Sequence, residues 1–282
     1  EPGVLASIAG TFSENNVSIE SVIQEGRGEQ AEGTTEYESD EGVPFLVVER
    51  LPGHRLDYMA GGAAATAPSR AFVKAVRKEW KQLRSGLPEG IQVVVSEQRM
   101  DLMRAVIFGP AKTPYEDGVF VFDIYFPPEY PAAVPQVLFI SYGDRLNPNL
   151  YENGKVCLSL LGTWAGEGVE TWNPATSTIL QVLVSIQGLV LVADPYYNEA
   201  GYEKQMGTLE GRHNSKQYNE STLLLVLKHM IYTLAHPTPP LGAKKWASAS
   251  VPFCICYIHT IELFTCLDVV YLFTRSGILN ER

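Results

Sequence analysis

The chain reads as an α+β fold. Three observations predict it: an amphipathic helix opens the patterned region, a run of four strand candidates follows, and further helices come only after a long loop. Ser69 is placed to cap the first helix, whose apolar positions include Phe72, Val73, Val76, Trp80 and Leu83. Lys and Arg occupy its other face, and Gly86 and Pro88 end it. The strand candidates are residues 91–95, 102–108, 119–125 and 134–140, separated by turn signals at 97–100 and 109–118. Residues 142–172 are mostly loop. Residues 178–192 make a strongly apolar helix ended by Asp194-Pro195, and 223–234 a further helix.

Composition narrows the function. The chain has 282 residues, 45% hydrophobic and 19% charged, which suits a globular protein with a real core. Its formal net charge of -10 disfavours binding to nucleic acid or to an anionic membrane. One cysteine, Cys157, stands alone, and Cys254, Cys256 and Cys266 cluster near the C-terminus. That spread does not resemble a secreted disulfide framework and points to a reducing compartment. The opening EPGVLASIAG has no basic flank and does not look like a signal peptide; the missing Met suggests a fragment or a processed chain. Residues 26–42 mix glycine with glutamate and aspartate, and 61–68 are small residues, so 27–67 reads as solvated linker around a short apolar run at 45–48.

The motifs in the loop region carry a resemblance. Phe126-Pro127-Pro128-Glu129-Tyr130-Pro131 with Pro135, then Asn147-Pro148-Asn149, then Gly154-Lys155-Val156-Cys157, then Trp172-Asn173-Pro174-Ala175 and Asp194-Pro195, occur in order and at matching spacing. They resemble the ubiquitin-conjugating (E2) enzymes, whose UBC fold has an N-terminal helix, a four-stranded antiparallel meander, an active-site loop and C-terminal helices. The resemblance covers residues 68–236, expected to be the UBC core. Three departures resemble the large E2 subclass, which contains hybrid E2/E3 enzymes and plant relatives. Asn147 stands where the family usually has His, the loop from Cys157 to Trp172 is longer than in small members, and Ala132 stands at the usual ligase contact. Ala132 weakens docking of a standard RING ligase and fits an enzyme with E3-like activity of its own. The chain then reads as a piece of a larger E2/E3 hybrid.

What the resemblance implies is a thioester carrier. Cys157 would accept ubiquitin from an E1 activating enzyme and pass it to a substrate lysine, because a thioester stays reactive toward amines. Asn149 would donate to the oxyanion or hold the loop in shape. Glu199 matches the acidic gate residue of many E2s and would orient the incoming lysine. Asp194, Trp164 and Trp172 read as structural. The resemblance implies no bound cofactor, ATP being used by the E1, and no metal. Implied partners are ubiquitin, E1, a substrate protein and an E3 ligase. The implied location is cytoplasmic and/or nuclear, with ER-membrane association as the lesser alternative.

Two flanking stretches stand apart. Residues 2–23 resemble part of an ACT domain, the amino-acid-sensing module of homoserine dehydrogenases, so 1–26 is a partial ACT-like segment. The match lacks the remaining strands and second helix, and half a sheet cannot bury its apolar face alone. The expectation is a remnant that binds no amino acid. Residues 237–282 form an apolar tail whose 251–273 run carries His259, Glu262 and Asp268, so its longest uncharged stretch is too short for a membrane span of about 20 residues. Cys254, Cys256, His259 and Cys266 do not match common zinc spacing. Two rival functions belong to other classes. One is an inactive ubiquitin-binding E2 variant, which would lack the cysteine. The other is an amino-acid-responsive regulator built on residues 2–23.

Overall fold

The computed structural model describes residues 44–60, 68–164 and 170–235. Helix α1 spans Arg70–Gly86; the Ser69 side chain accepts from the Phe72 N–H, and Phe72, Val76, Glu79 and Leu83 form its buried face. The strands are β1 (Phe45–Val48), β2 (Ile91–Ser96), β3 (Leu102–Phe108), β4 (Val119–Tyr125) and β5 (Gln136–Phe139), hydrogen-bonded in that order. The pairs β2–β3, β3–β4 and β4–β5 are antiparallel, and β1 joins β2 in parallel.

The sheet thus has five strands where the sequence predicts a meander of four. Phe45–Val48, placed in the linker by its acidic and small-residue surroundings, is the added edge strand. Parallel pairing is non-local, so nothing beside the run announces it. β5 is shorter than predicted, since Pro135 just before it has no N–H for a ladder.

Alternation along the strands splits the interior in two. Ala105 and Ile107 of β3 and Phe120, Phe122 and Ile124 of β4 face the helices, packing with Val76, Leu83, Val182 and Ile186. Leu102 and Tyr125 face the other way, against Val48, Leu51 and Leu56 of the N-terminal segment. Between them on that outer face lies a fully buried ion pair. Arg104 donates through Nε and Nη2 to Asp123 at 2.6 and 2.9 Å, and the Arg55 backbone N–H donates to the same carboxylate at 2.7 Å. Arg104 also donates to the Gly53 carbonyl at 3.1 Å. His54 closes the cluster: its Nε2 lies 2.9 Å from the Met103 carbonyl, and its Nδ1 accepts from the Leu56 N–H at 3.3 Å. Burial holds the imidazole below its ordinary pKa. Residues 45–60 are therefore a strap fastened to the sheet.

Helix α2 (Ile179–Ser185) begins with a capping box between Thr178 and Gln181. The buried Glu79 carboxylate accepts from the Ile179 N–H at 3.0 Å and from the Tyr130 hydroxyl at 2.8 Å, tying α1, α2 and the Pro-rich turn together. The predicted helix over 178–192 departs from α geometry after Ser185: Ile186–Val190 is a π-turn closed by Leu191 N–H to the Ile186 carbonyl. Gly188 within it weakens the α preference. Helix α3 spans Leu209–Ala235, starting well before the predicted 223. Its first half buries Ser215 and Thr222 rather than apolar residues, which hid it from a reading based on hydrophobic period. No helix of the described residues is long and apolar enough to cross a membrane. The segments 1–26 and 237–282, with the candidate zinc ligands, lie outside the described residues.

Candidate active site

The loop after β5 folds on itself through single bridges: Leu138 pairs with Lys155, Leu150 with Val156, and Asn147 with Leu150. Gly154 makes this possible. Its φ is +87°, and a Cβ there would sit 2.6 Å from the Phe139 carbonyl oxygen. The neighbouring bond runs from the Phe139 N–H to the Gly154 carbonyl at 2.8 Å. The glycine of the motif is thus a packing requirement against β5.

Cys157 is pinned from both sides. Its N–H donates to the Asn149 carbonyl at 2.9 Å, and the Asn149 side-chain amide donates to the Cys157 carbonyl at 2.8 Å. Thr163 grips the next turn: its hydroxyl donates to the Val156 carbonyl at 2.6 Å and accepts from the Leu158 N–H at 3.0 Å. Asn149 and Cys157 thus exchange bonds across the loop, and the amide is engaged with the backbone of the cysteine.

Asn147, in the position usual for His, is fully buried and makes three bonds. Its Nδ2 donates to the Tyr115 hydroxyl at 2.7 Å and to the Val190 carbonyl at 2.8 Å, while its Oδ1 accepts from the Asn149 N–H at 2.8 Å. Asn198 Nδ2 reaches the same Val190 carbonyl at 3.3 Å and the Leu189 carbonyl at 3.0 Å. The π-turn frees these carbonyls from regular helix bonding, and two amides take them up. The cysteine loop and the loop after Asp194-Pro195 are joined there. Asp194 accepts from the Ser215 hydroxyl at 2.6 Å, in line with a structural role.

Glu199 caps the short turn Pro195–Asn198. Its carboxylate accepts from Arg145 Nη2 at 3.0 Å, and that same nitrogen donates to the Pro148 carbonyl at 2.8 Å. The Arg145 guanidinium lies 4.4 Å from the centre of the Tyr151 ring. Desolvation first, and then Cys157, hold the Tyr151 phenol above the ordinary tyrosine range. Tyr218 is pushed up to about 12, chiefly by burial, with Arg145 acting against the rise and Glu199 adding to it. Cys157 itself is only 1% exposed, despite its polar loop.

The three predicted site residues therefore fall in one cluster, Asn149 in direct contact with Cys157 and Glu199 linked to it through Arg145 and Tyr151. Reading the sequence missed Arg145, Tyr151 and Thr163. Arg145 and Tyr151 flank the Asn147-Pro148-Asn149 motif, and a cation and an aromatic beside a nucleophile loop were the available signal. Trp172 donates to the Pro131 carbonyl at 2.9 Å and packs on Tyr130, as a packing residue does.

The family profile described as ubiquitin-conjugating enzyme matches residues 75–225. The chain is 57% identical over 168 residues to the probable ubiquitin-conjugating enzyme E2 23 of Arabidopsis thaliana, covering 60% of this chain and 15% of that protein. It is 51% identical over 193 residues to the probable ubiquitin-conjugating enzyme E2 25 of the same plant, covering 68% of this chain and 31% of that one. It is 44% identical over 184 residues to the dual E2 ubiquitin-conjugating enzyme/E3 ubiquitin-protein ligase BIRC6 of Homo sapiens, covering 62% of this chain and 4% of the relative. The chain thus spans less than a third of the length of each of these relatives. The ACT-like resemblance of residues 2–23 is not borne out by these matches, and those residues precede the matched span. With the profile covering more than half of the chain and enclosing Cys157, Asn149 and Glu199, the chain belongs to the ubiquitin-conjugating enzyme family.

Proposed function

We propose that this chain is an E2 enzyme that carries ubiquitin as a thioester on Cys157. The supporting observation is the reciprocal pinning of Cys157 and Asn149, which fixes the cysteine in a preorganised loop. The Cys157 thiolate attacks the carbonyl of the ubiquitin C-terminus held on the E1 cysteine. A new C–S bond forms and the E1 thiolate leaves. A substrate lysine then gives up a proton and attacks the same carbonyl. The C–N bond forms, the C–S bond breaks, and the Cys157 thiolate departs. Asn149 holds the loop through the transfer, and Glu199 orients the lysine. The protein needs no bound cofactor, the ATP being spent at the E1.

Partners are ubiquitin, E1 and a substrate protein, with the cytoplasm or nucleus as the setting. The likeness to a dual E2/E3 relative supports transfer without a separate ligase, and the exposed Ala132 beside the Pro-rich turn agrees with it. A charging assay with E1, ATP and ubiquitin tests the reading. We expect a reductant-sensitive adduct that is absent in Cys157→Ala; an adduct unchanged in that variant would overturn it. Asn149→Ala should charge normally and discharge to lysine at least about tenfold more slowly.

A further inference from the structure

We propose that Arg145 is a positioning residue that holds the Tyr151 ring as a shutter over the Cys157 thiol and ties Glu199 to it. The proposal rests on Cys157 being the accepting thiol. A thiol that must meet a large partner is 1% exposed, so something has to move before it reacts. The Cys157 N–H bonds to the Asn149 carbonyl and the Tyr151 N–H to the Lys155 carbonyl, with Leu150 bridged to Val156 between them, so Tyr151 and Cys157 are diagonal neighbours on one face of the loop. The nearer of two cations over the Tyr151 ring is the Arg145 guanidinium at 4.4 Å, the other being Lys155 Nζ at 5.5 Å.

Arg145 in turn has two tethers at one nitrogen, the Pro148 carbonyl at 2.8 Å and Glu199 at 3.0 Å. Its side chain is 40% exposed and that of Glu199 36% exposed, so the ion pair is cheap to open. Only a planar guanidinium can lie over the ring and still reach both oxygens; an ammonium cannot do all three. Opening the pair frees the carboxylate and leaves the guanidinium over the ring on the Pro148 tether alone; swinging Arg145 away releases the ring as well. The closed state shields the thiol, and the open state admits the partner and leaves Glu199 available to an incoming amine.

The test is alkylation of Cys157 by iodoacetamide in the full chain, read at that site by peptide mass spectrometry across a pH series. The plateau rate at high pH reports access to the thiol, and the midpoint reports its ionisation. We expect Arg145→Ala to raise the plateau about three- to tenfold, from loss of the ring contact and the ion pair. Glu199→Gln should raise it less, since the Pro148 tether remains. Arg145→Lys should resemble the alanine variant more than wild type. An unchanged or lower plateau in Arg145→Ala would overturn the proposal. Charging by E1 is measured in parallel on the same samples. If wild type fails to charge, the functional reading falls while the alkylation result still judges the shutter.

Discussion

Two of the arginine–carboxylate pairs among the described residues have the same chemistry in opposite settings. Arg104–Asp123 lies across β3 and β4 under the strap, with both side chains at 0% exposure. Arg145–Glu199 bridges two loops at the cysteine, with both side chains more than a third exposed. In the first, the carboxylate accepts from the guanidinium twice and from a backbone N–H, so its charge is fully answered and the strap cannot lift without stranding it. In the second, water competes for every contact, and the pair contributes little to holding the fold. Burial alone turns one into a fastening and leaves the other free to open.

The largest effect that could break this contrast comes from Asp123→Ala. It leaves a buried guanidinium without its partner and should cost about 3–5 kcal/mol of stability in urea unfolding. A loss below about 1 kcal/mol would mean that the strap is loosely held. Next comes pH, which acts on the buried half of the molecule. His229 is enclosed between Phe120, Phe139 and Tyr142, and burial lowers its pKa from 6.5 to about 4. The unfolded chain therefore takes up a proton below 6.5 that the folded chain refuses until about 4. Stability should be fully present above 6.5 and fall as pH drops toward 4, by about 3 kcal/mol. His54 shifts in the same direction and adds to the loss. His229→Phe should flatten the slope of urea midpoint against pH, even if its midpoint at pH 7 is lower.

Asn147→Ala comes third. It strips the Val190 carbonyl and the Asn149 N–H of a buried partner, and about 1–3 kcal/mol should be lost, with slower transfer. The smallest effect sharpens the contrast from the other side. Glu199→Ala should change stability by no more than about 1 kcal/mol while slowing discharge to lysine. A large stability loss there would make the outer pair structural like the inner one.

Much of this was legible in the sequence, and the limits have physical causes. The Ser69 cap, the strands over 102–108 and 119–125 and the cysteine loop follow from local patterns and ordered motifs. Arg104 and Asp123 sit within strands that read as apolar runs, and their pairing 19 residues apart has no local signature. The strap closes onto residues 42 to 68 positions away, so its composition spoke of a linker. At the site, Cys157, Asn149 and Glu199 were found because each sits in a motif. Arg145 and Tyr151 were not, because their meaning lies in a stacking geometry that only folding creates.

The neutral amide at position 147 has a consequence for pH dependence. An imidazole at that junction would change charge near neutrality and alter its bonds to the helix break as it did so. Asn147 has no proton to gain or lose in that range. The link it makes between the two loops therefore keeps one form as acidity changes, and the cysteine loop and the loop after Asp194-Pro195 stay joined there in the same way.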